Sequence, residues 1–412
     1  MKILVMNAGS SSQKSCLYEL PNGKLPQQPP DPLWEGQISW VDGEDHASVK
    51  VKTAHGAALQ TKFPPESRGE DTIQLLKTLT SGDTQVIGSP DEIEIVGHRV
   101  VHGGSKCRQS TRITEEVKTE IEQLSDFAPI HNPVNLEGIK ITEAFLGADV
   151  PQVAVFDTAF HADLPPAAYV YPGRYEWLEQ GIRRYGFHGI SHQYCANRAA
   201  QLLGRDLQEL RLLTCHLGNG ASLTAIRNGR SVDTTMGFTP LEGLMMGSRS
   251  GSIDPGILIR LLRQDHYTVD QLDTLLNKKS GLEGLSGISN DLRDIEAAIA
   301  TGNEQAKLAL DVYIHRLRWH MGAMLPSLGG IDAIIFTAGV GENAPKIRAE
   351  ACAAFGFLGV EIDPAKNESQ PVDQDIATPN SKVRVLVIHT QEDWAIAQEC
   401  WQIYHNPQLG QL

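Results

Sequence analysis

The stretch ILVMNAGSSSQK at residues 3–14 decides how the rest of the chain is interpreted. Four apolar residues of strand character lead into a turn of small residues, and a second apolar segment follows at 15–18. The pattern predicts a β-hairpin whose turn carries a glycine, three hydroxyls, an amide and one lysine. Backbone N–H groups in such a turn can approach an anion closely, because no bulky side chain blocks them. An ordinary polar hairpin turn is the alternative that this stretch alone leaves open.

A similar hairpin pattern recurs about half a chain later. Apolar residues at 212–215 enter the small-residue turn 216–222, and the chain leaves through a second apolar segment at 223–226. The repetition predicts a duplicated α/β domain with a cleft between the halves. We place the first domain at residues 1–158 plus 393–412 and the second at 159–392.

A third small-residue turn, at 338–343, follows an apolar segment at 332–336. Ligands of α/β proteins bind at the carboxyl ends of strands, so three such turns predict a nucleotide held from both halves. None of the three has the spacing of a P-loop or of a dinucleotide-binding fingerprint. Each turn taken singly is also compatible with a simple connection.

The composition is that of an ordinary globular protein. The chain has 412 residues, of which 41% are hydrophobic and 21% charged, and its formal net charge is −14. So negative a chain is a poor partner for nucleic acid or an anionic membrane surface, and an anionic substrate would need a local cluster of cations. Six scattered cysteines, no signal-peptide core and no apolar run of about 18 residues predict a soluble cytoplasmic protein with reduced thiols.

The local signals also predict helices. One is expected from Thr114, a second from the pair Asn132 and Pro133, and a third capped by Ser191. A long helical pattern covers 304–325, and a terminal helix follows the last strand at 383–388.

Polar residues that could act in catalysis or ligand binding lie next to these strands and turns. Asp157 and Glu392 come after apolar segments, where carboxylates can serve Mg²⁺, although either residue taken alone fits a helix cap or a solvated loop acid better. Arginine captures carboxylate or phosphate in a bidentate manner, and a surface role is the alternative for each such residue. The candidates embedded in Gly- or Ser-rich sequence are Arg99, His131, His188, His216 and Arg249.

Seven motifs together resemble those of the acetate kinase family, from residue 1 to Glu392. They are NAGSSS at 7–12 with Lys14, GHRVVHGG at 97–104, FDTAFH at 156–161, YGFHGISH at 185–192, HLGNG at 216–220, GFTPLEGLMMGSRSG at 237–251 and GVGEN at 339–343. The resemblance implies an α/β fold of duplicated ribonuclease-H-like domains with an interdomain cleft, shared with actin, sugar kinases and the ATPase of heat-shock chaperones. It also implies a homodimer that transfers the γ-phosphoryl group of ATP to acetate, giving acetyl phosphate and ADP, with Mg²⁺ as cofactor and Mn²⁺ able to replace it.

The same resemblance implies roles for individual residues. Asp157, His188 and Arg249 would be catalytic, and Asn7 and Glu392 would serve the metal. The acetate site would comprise Arg99, Val101, Ile130, His131, Phe187 and Pro240. ATP would be bound by Lys14, His216, Leu217, Gly218, Asn219, Gly220, Asp291, Leu292, Arg293, Gly339, Val340, Gly341, Glu342 and Asn343. The chain departs from the family pattern at Ser248, where Thr is common, and at 391–393, where Asn-Glu-Glu is common.

Elementary chemistry constrains the role of Asp157. Acetate has a pKa of about 4 to 5, so it is an anion at neutral pH and needs no base to become a nucleophile. We therefore expect Asp157 to orient Arg99 or a Mg²⁺-bound water. A propionate or other short-chain carboxylate kinase is the nearest alternative function, and a nucleotide-switch ATPase of the actin or chaperone type is an alternative from another class.

Overall fold

The structure is a computed structural model that describes residues 1–9, 12–40, 46–63, 67–129 and 131–412. Two serines of the first turn, Ser10 and Ser11, and the predicted pocket residue Ile130 lie outside the described residues.

The described residues form fourteen strands and fifteen α-helices. The strands are β1 Lys2–Ala8, β2 Ser12–Glu19, β3 Trp34–Trp40, β4 Ala47–Thr53, β5 Ala58–Phe63, β6 Ile95–Val100, β7 Thr111–Arg112, β8 Gln152–Phe156, β9 Arg211–Leu217, β10 Ala221–Arg227, β11 Arg230–Thr234, β12 Ala333–Thr337, β13 Gln374–Asp375 and β14 Arg384–Val387. The helices are α1 Arg68–Lys77, α2 Glu115–Gln123, α3 Asn132–Leu146, α4 Pro166–Tyr169, α5 Tyr175–Glu179, α6 Gly189–Leu203, α7 Pro255–Arg263, α8 Val269–Lys278, α9 Gly281–Ser286, α10 Leu292–Ala300, α11 Glu304–Leu328, α12 Ala338–Asn343, α13 Pro345–Ala353, α14 Pro364–Glu368 and α15 Glu392–His405. No helix of this described part is long and apolar enough to cross a bilayer.

The chain separates into two compact units. Unit 1 comprises Met1–Ala162 and Gln391–Leu412, and unit 2 comprises Asp163–Thr390. These bounds differ by a few residues from the predicted domain boundaries, and they group Glu392 with unit 1. The reason is that Glu392 begins α15, and α15 packs on β1 and β6 of unit 1.

Unit 1 is built on a mixed sheet with the strand order β5-β4-β3-β2-β1-β6-β8-β7. Strands β1, β2 and β3 pair antiparallel, whereas β1, β6 and β8 run parallel. Because parallel strands end at the same edge, this sheet brings the carboxyl ends of β1, β6 and β8 together.

Unit 2 repeats the same arrangement in a second sheet, of order β11-β10-β9-β12-β14-β13. Strands β9, β10 and β11 pair antiparallel, and β9, β12 and β14 run parallel. The five central strands of the two sheets therefore share one order and one set of directions. The duplicated α/β fold predicted from the two hairpins is confirmed.

Helices cover both faces of the first sheet because neighbouring strand residues point to opposite sides. Leu4 and Val96 belong to a buried cluster with residues of α1 and α3. On the other face, α15 lies so close to β6 that a Cβ added at Gly97 would be 2.5 Å from both Cys400 Sγ and Ile396 Cγ2. Only glycine fits this contact without displacing these two side chains.

Two local predictions were wrong. Ser191 does not cap α6, because the helix begins three residues earlier, after His188, and the buried Ser191 hydroxyl contacts His216 Nδ1 instead. Residues 338–343 form a short helix rather than a turn, since Glu342 accepts a hydrogen bond of 2.9 Å from the Ala338 N–H and closes the segment on itself.

Candidate active site

The predicted metal residue Asn7 lies near the carboxyl end of β1, directly opposite Lys14 of β2 in the antiparallel register. Its amide nitrogen donates to Asp393 Oδ1 at 2.9 Å. Burial raises the pKa of the Asp393 carboxyl, and the hydrogen bond from Asn7 and the charge of Lys14 offset that shift only in part. The first turn thus connects to the beginning of α15, where Glu392 precedes Asp393.

Arg99 and Asp157 form a bidentate ion pair at the same edge of the sheet. Arg99 Nε donates to Oδ1 at 3.1 Å and Nη2 donates to Oδ2 at 2.6 Å. Arg99 lies in β6, and Asp157 follows β8, its backbone N–H continuing the ladder by bonding Val100 O at 3.0 Å. The Asp157 side chain is 2% exposed, so solvent screens its interaction with Arg99 very little.

The electrostatics of this pair keep the guanidinium charged. Burial lowers the pKa of Arg99, but the charges of Asp157 and Glu392 outweigh burial and hold that pKa above its ordinary value. Arg99 is therefore a fixed cation whose Nε and one Nη are occupied by Asp157, and such a group suits an anionic ligand.

Two asparagines of α3, which the sequence interpretation missed, hold the surrounding loop. Asn135 Oδ1 accepts from the Val101 N–H and its Nδ2 donates to Ala8 O, both at 3.1 Å. Asn132 bonds both the N–H and the carbonyl of His102, again at 3.1 Å. They connect the segment after β6 to the end of β1. No local sequence signal indicates this role, because the hydrogen-bond partners are distant in sequence.

The remaining acetate-site predictions in unit 1 are Val101 and His131. Val101 is buried, and His131 is the residue immediately before α3. Phe187 and Pro240 belong to unit 2, where Phe187 is buried and Pro240 O accepts from Arg249 Nη1 at 3.0 Å.

The donor set beside β1 fits the chemistry of Mg²⁺. Magnesium is usually held by one or two carboxylates, with water and substrate phosphates completing its octahedron. Asn7 and Glu392 offer an amide oxygen and a carboxylate, and the Asn7 hydrogen bond to Asp393 uses only its nitrogen. Within the described residues no cluster of three or more His, Cys, Asp or Glu side chains is arranged to hold a metal.

The second hairpin presents the predicted nucleotide loop. Strand β9 ends with His216 and Leu217, and the Gly218 N–H bonds Gly220 O at 3.1 Å within the turn. The Leu217 side chain is fully buried, so only its backbone can contact a ligand. Asn219 is exposed, and its carbonyl accepts from the Gly247 N–H at 3.1 Å, which joins this turn to the Arg249 loop.

His188 precedes α6 in a left-handed backbone conformation with φ of 57°. Such conformations are uncommon for residues other than glycine and concentrate at functional sites. Its Nδ1 lies 2.9 Å from Ser222 Oγ, and Ser222 Oγ lies 2.7 Å from His192 Nε2. His192 Nδ1 lies 2.7 Å from Thr214 Oγ1, which in turn donates to Thr224 O at 3.3 Å.

A second imidazole stacks on the first. The rings of His188 and His216 lie 4.2 Å apart at 17°. His216 Nδ1 contacts Ser191 Oγ at 2.8 Å, and that hydroxyl contacts Thr390 Oγ1 at 2.9 Å. Hydroxyl groups of buried strands and helices thus orient both rings.

The Arg249 loop approaches these rings. A Cβ built at Gly220 would lie 3.5 Å from Arg249 Nη1 and 3.5 Å from His188 Nε2. Arg249 and His188 therefore both face the turn at Gly220. The loop itself is closed at its base, where Gly243 and Ser252 exchange hydrogen bonds of 3.0 Å.

The two other nucleotide segments lie at helix starts. Asp291 caps α10 and pairs with the exposed Arg293, which lowers the pKa of the Asp291 carboxyl to about 2, while Leu292 is buried. Residues Gly339, Val340, Gly341, Glu342 and Asn343 lie in α12. Burial raises the pKa of Glu342, but bonds to His389 and to the backbone outweigh burial and lower it overall.

The site residues thus fall into two sets. The residues in unit 1 are Asn7, Lys14, Arg99, Val101, His131, Asp157 and Glu392. Those in unit 2 are Phe187, His188, the 216–220 turn, Pro240, Arg249, residues 291–293 and the α12 residues. Unit 1 thus carries a guanidinium fixed beside oxygen donors, and unit 2 carries a small-residue turn faced by an arginine and a histidine. Both features suit a phosphotransferase.

Comparisons with known proteins agree with this class. A family model described as the Acetokinase family matches residues 2–398. The acetate kinase of Gloeobacter violaceus is 69% identical over 402 residues, covering 98% of this chain and 99% of that protein. The crystal structure of Porphyromonas gingivalis acetate kinase has a TM-score of 0.88 at 40% identity, covering 98% of this chain and 99% of the other. A propionate kinase from Francisella tularensis has a TM-score of 0.87 at 35% identity, covering 97% of this chain and 99% of the other.

The chain belongs to the acetokinase family. It is accordingly a phosphotransferase with a carboxyl group as acceptor, and its two sheets are the duplicated actin-like domains of that family.

Proposed function

We propose that this protein is an acetate kinase that reversibly transfers the γ-phosphoryl group of ATP to acetate by direct in-line attack, giving acetyl phosphate and ADP. The observation that carries the proposal is the partly exposed Arg99, held by the buried Asp157 at the carboxyl edge of the parallel strands. High identity to acetate kinases over nearly the whole chain supports the same activity.

The chemistry needs positioning and charge stabilisation rather than a base. Acetate is already an anion at neutral pH, so Asp157 has no proton to remove from it. Instead Asp157 holds the guanidinium of Arg99 in one orientation, and Arg99 binds the acetate carboxylate. The electrostatic obstacle is the approach of one anion to another, and fixed cations reduce it.

Arg249 and His188 stabilise the transferring phosphoryl group. Both face the turn at Gly220. This turn binds the nucleotide phosphates through its backbone N–H groups, and the family resemblance adds Lys14 to the residues that bind ATP. Arginines that contact a transferring phosphoryl group contribute about 10³-fold or more in rate, so removal of Arg249 should cost several kcal/mol in transition-state stabilisation. Residues 216–220, 291–293 and 339–343 bind the rest of ATP.

Asn7 and Glu392 would hold Mg²⁺, and Mn²⁺ could replace it because both ions prefer oxygen ligands. The ion supplies neutralisation of charge on the β- and γ-phosphates when bound. Asp393 supports this site indirectly, by fixing the amide of Asn7.

The resemblance to the family assigns Val101, Ile130, His131, Phe187 and Pro240 to the acetate site. Apolar side chains such as Val101 and Phe187 favour a short acyl chain, but one methylene in an apolar pocket is worth only about 1–3 kcal/mol. Propionate is therefore a slower substrate. The similarity to a propionate kinase makes preferential use of propionate the second candidate function.

The protein acts as a homodimer in the cytoplasm. Helix α7, all of which the structure describes, has no buried residue in the single chain, yet it carries Ile257, Ile259 and Leu262 on its surface. An apolar helix of this kind is typical of an interface, and a second copy of the chain would cover it. All six cysteines are buried free thiols, which suits a reducing compartment.

An acetyl hydroxamate assay with ATP and Mg²⁺ tests the proposed reaction. Acetate should give the highest kcat/KM, propionate a lower value and butyrate the lowest, and Arg99→Gln should abolish most of the activity. Arg211→Gln is a matched control, since Arg211 also pairs with an aspartate, Asp332, away from the site. Equal or better use of propionate would make the protein a propionate kinase, and ATP hydrolysis that does not depend on any carboxylate would support the switch ATPase.

A further inference from the structure

We propose that Ser222 and His192 fix the tautomer of His188, so that His188 gains a proton at Nε2 when nucleotide phosphates bind. His188 faces the proposed phosphate-binding turn at Gly220, and the inference therefore rests on the proposed function. Ser222 and His192 are positioning residues, because they act through His188.

A chain of hydrogen bonds runs from Thr214 through His192 and Ser222 to His188, and we call it the proton chain. The donor at each step follows from the hydrogen bond that Thr214 makes. Thr214 Oγ1 donates its only proton to Thr224 O at 3.3 Å, so it accepts the hydrogen bond from His192 Nδ1. His192 is fully buried between two hydroxyls, and a neutral ring with its proton on Nδ1 satisfies both contacts. Its Nε2 then accepts from Ser222.

Counting the proton that each group can donate also determines which ring nitrogen of neutral His188 carries the proton. Ser222 has one proton, and the contact of 2.7 Å to His192 Nε2 uses it. Ser222 Oγ must therefore accept from His188 Nδ1 across 2.9 Å. Neutral His188 carries its proton on Nδ1, and Nε2 is an acceptor.

The reversed chain is less favourable. If Thr214 donated to His192, each later bond would also reverse and His188 would carry its proton on Nε2. Thr214 Oγ1 and Thr224 O would then face each other at 3.3 Å with no proton between them, in a fully buried position. That arrangement loses one buried hydrogen bond, and protein interiors rarely leave a possible hydrogen bond between buried polar groups unmade.

The charges around His188 disfavour a proton on Nε2 until an anion arrives. Arg249 Nη1 and His188 Nε2 are both 3.5 Å from the Cβ position of Gly220. His216 stacks on His188 from β9 at 4.2 Å, and His192 approaches through Ser222 from α6. The guanidinium of Arg249 opposes a further positive charge on His188, whereas the phosphates of a nucleotide favour it.

Nucleotide binding is therefore linked to proton uptake. A neutral His188 would present a lone pair to a phosphate oxygen, while the protonated ring donates a hydrogen bond to it. The pKa of His188 is higher in the bound state than in the free state. Nucleotide affinity is consequently full below the free-state pKa and falls as the pH rises through the bound-state pKa.

Calorimetry measures the linked proton directly. The Mg²⁺ complex of a methylene-bridged, non-hydrolysable ATP analogue is titrated into the full chain at pH about 7.5, in two buffers with different ionisation enthalpies. The buffer dependence gives the protons taken up per nucleotide, and His188→Gln gives the background. We expect the wild type to exceed that background by about half to one proton.

Variants separate the tautomer from the ring itself. Ser222→Ala frees neutral His188 to carry its proton on Nε2, so the excess uptake should fall to less than about half of the wild-type value. Ser222→Thr keeps the hydroxyl and should restore the uptake. Thr234→Val is the matched control, because it removes a buried hydroxyl of the same sheet that bonds Thr224 Oγ1 and Leu223 O.

The outcomes of these experiments distinguish failure of the inference about His188 from failure of the proposed function. Wild-type binding without excess uptake, or wild-type uptake in Ser222→Ala, would overturn the inference and leave the proposed function standing. Failure of the wild type to bind the nucleotide would overturn the proposed function and the inference with it. Long-range ¹H–¹⁵N NMR of histidine-labelled wild type adds a test without variants: an Nδ1-protonated neutral His188 is expected, and an Nε2-protonated ring would refute the proton chain.

Discussion

The substitution Asp157→Asn examines the ion pair on which the proposed mechanism depends. The side chains are nearly isosteric, but asparagine has one acceptor oxygen where aspartate has two. Arg99 now donates to both carboxylate oxygens, at 3.1 Å and 2.6 Å, so the variant loses one of these bonds and the negative charge.

A hydrogen bond to a charged group contributes about 1.5–3 kcal/mol. Its loss predicts a fall of about 10- to 150-fold in kcat/KM for acetate, since about 1.4 kcal/mol corresponds to a factor of ten. Initial rates with acetate varied at saturating ATP measure this effect. The KM for ATP should stay within about twofold, because Asp157 contacts the acetate-binding arginine and not the nucleotide loop.

The pH profile distinguishes orientation from proton transfer. If Asp157 only orients Arg99, the acidic limb of kcat/KM keeps its position in Asp157→Asn while the whole profile moves down. Disappearance of that limb in the variant would refute this reasoning and assign Asp157 a proton-transfer role. Asp375→Asn is the control for loss of a charge pair, because Asp375 bonds Arg384 Nε at 2.6 Å outside the site.

Three further predictions concern stability and nucleotide binding. Burial lowers the pKa of His98 to about 4. Because the unfolded ring has a pKa of about 6.5, the unfolded state binds more protons between these values, and stability falls with decreasing pH; urea unfolding at about pH 7.5 and 5.5 should show a loss of about 1.4 kcal/mol that His98→Gln lacks. Gly97→Ala should lower the unfolding free energy by about 1–3 kcal/mol, and adding Cys400→Ala should recover part of it in the same assay, whereas no recovery would contradict the contact with α15. Glu342→Gln should raise the KM for ATP about 5- to 20-fold with the KM for acetate unchanged, as its carboxylate accepts a hydrogen bond that closes α12; equal changes in both constants would argue against this local effect.

Much of the fold could be predicted from local patterns. The hairpin at 212–226 was predicted because apolar runs with a small-residue turn specify paired strands, and the structure extends those runs only slightly, as β9 and β10. The long helical pattern at 304–325 likewise corresponds to α11. Such features depend on neighbours in sequence, and for that reason they are visible in the sequence.

Features that depend on distant contacts were less visible. The capping signal at Ser191 is local in sequence. It failed because the buried hydroxyl of Ser191 contacts His216 of β9 and does not cap α6. The roles of Asn132 and Asn135 depend on loops about thirty and over a hundred residues away, so no periodicity reveals them. Asp157 was expected to orient either Arg99 or a Mg²⁺-bound water, and only the parallel register of β6 and β8 shows the pairing with Arg99, 58 residues away.

The two sheets show why the candidate residues occur where they do. In each unit three parallel strands end at one edge, and each end carries a polar group or a turn: Asn7, Arg99 and Asp157 in the first sheet, and His216, the start of α12 and Thr390 in the second. The equivalent ends carry different side chains, a guanidinium paired with an aspartate in unit 1 and two stacked histidines in unit 2. Because the strand order is the same, the fold alone does not distinguish these tasks. The side chains at the strand ends, and the buried hydroxyls and asparagines that orient them, are therefore what specify the reaction.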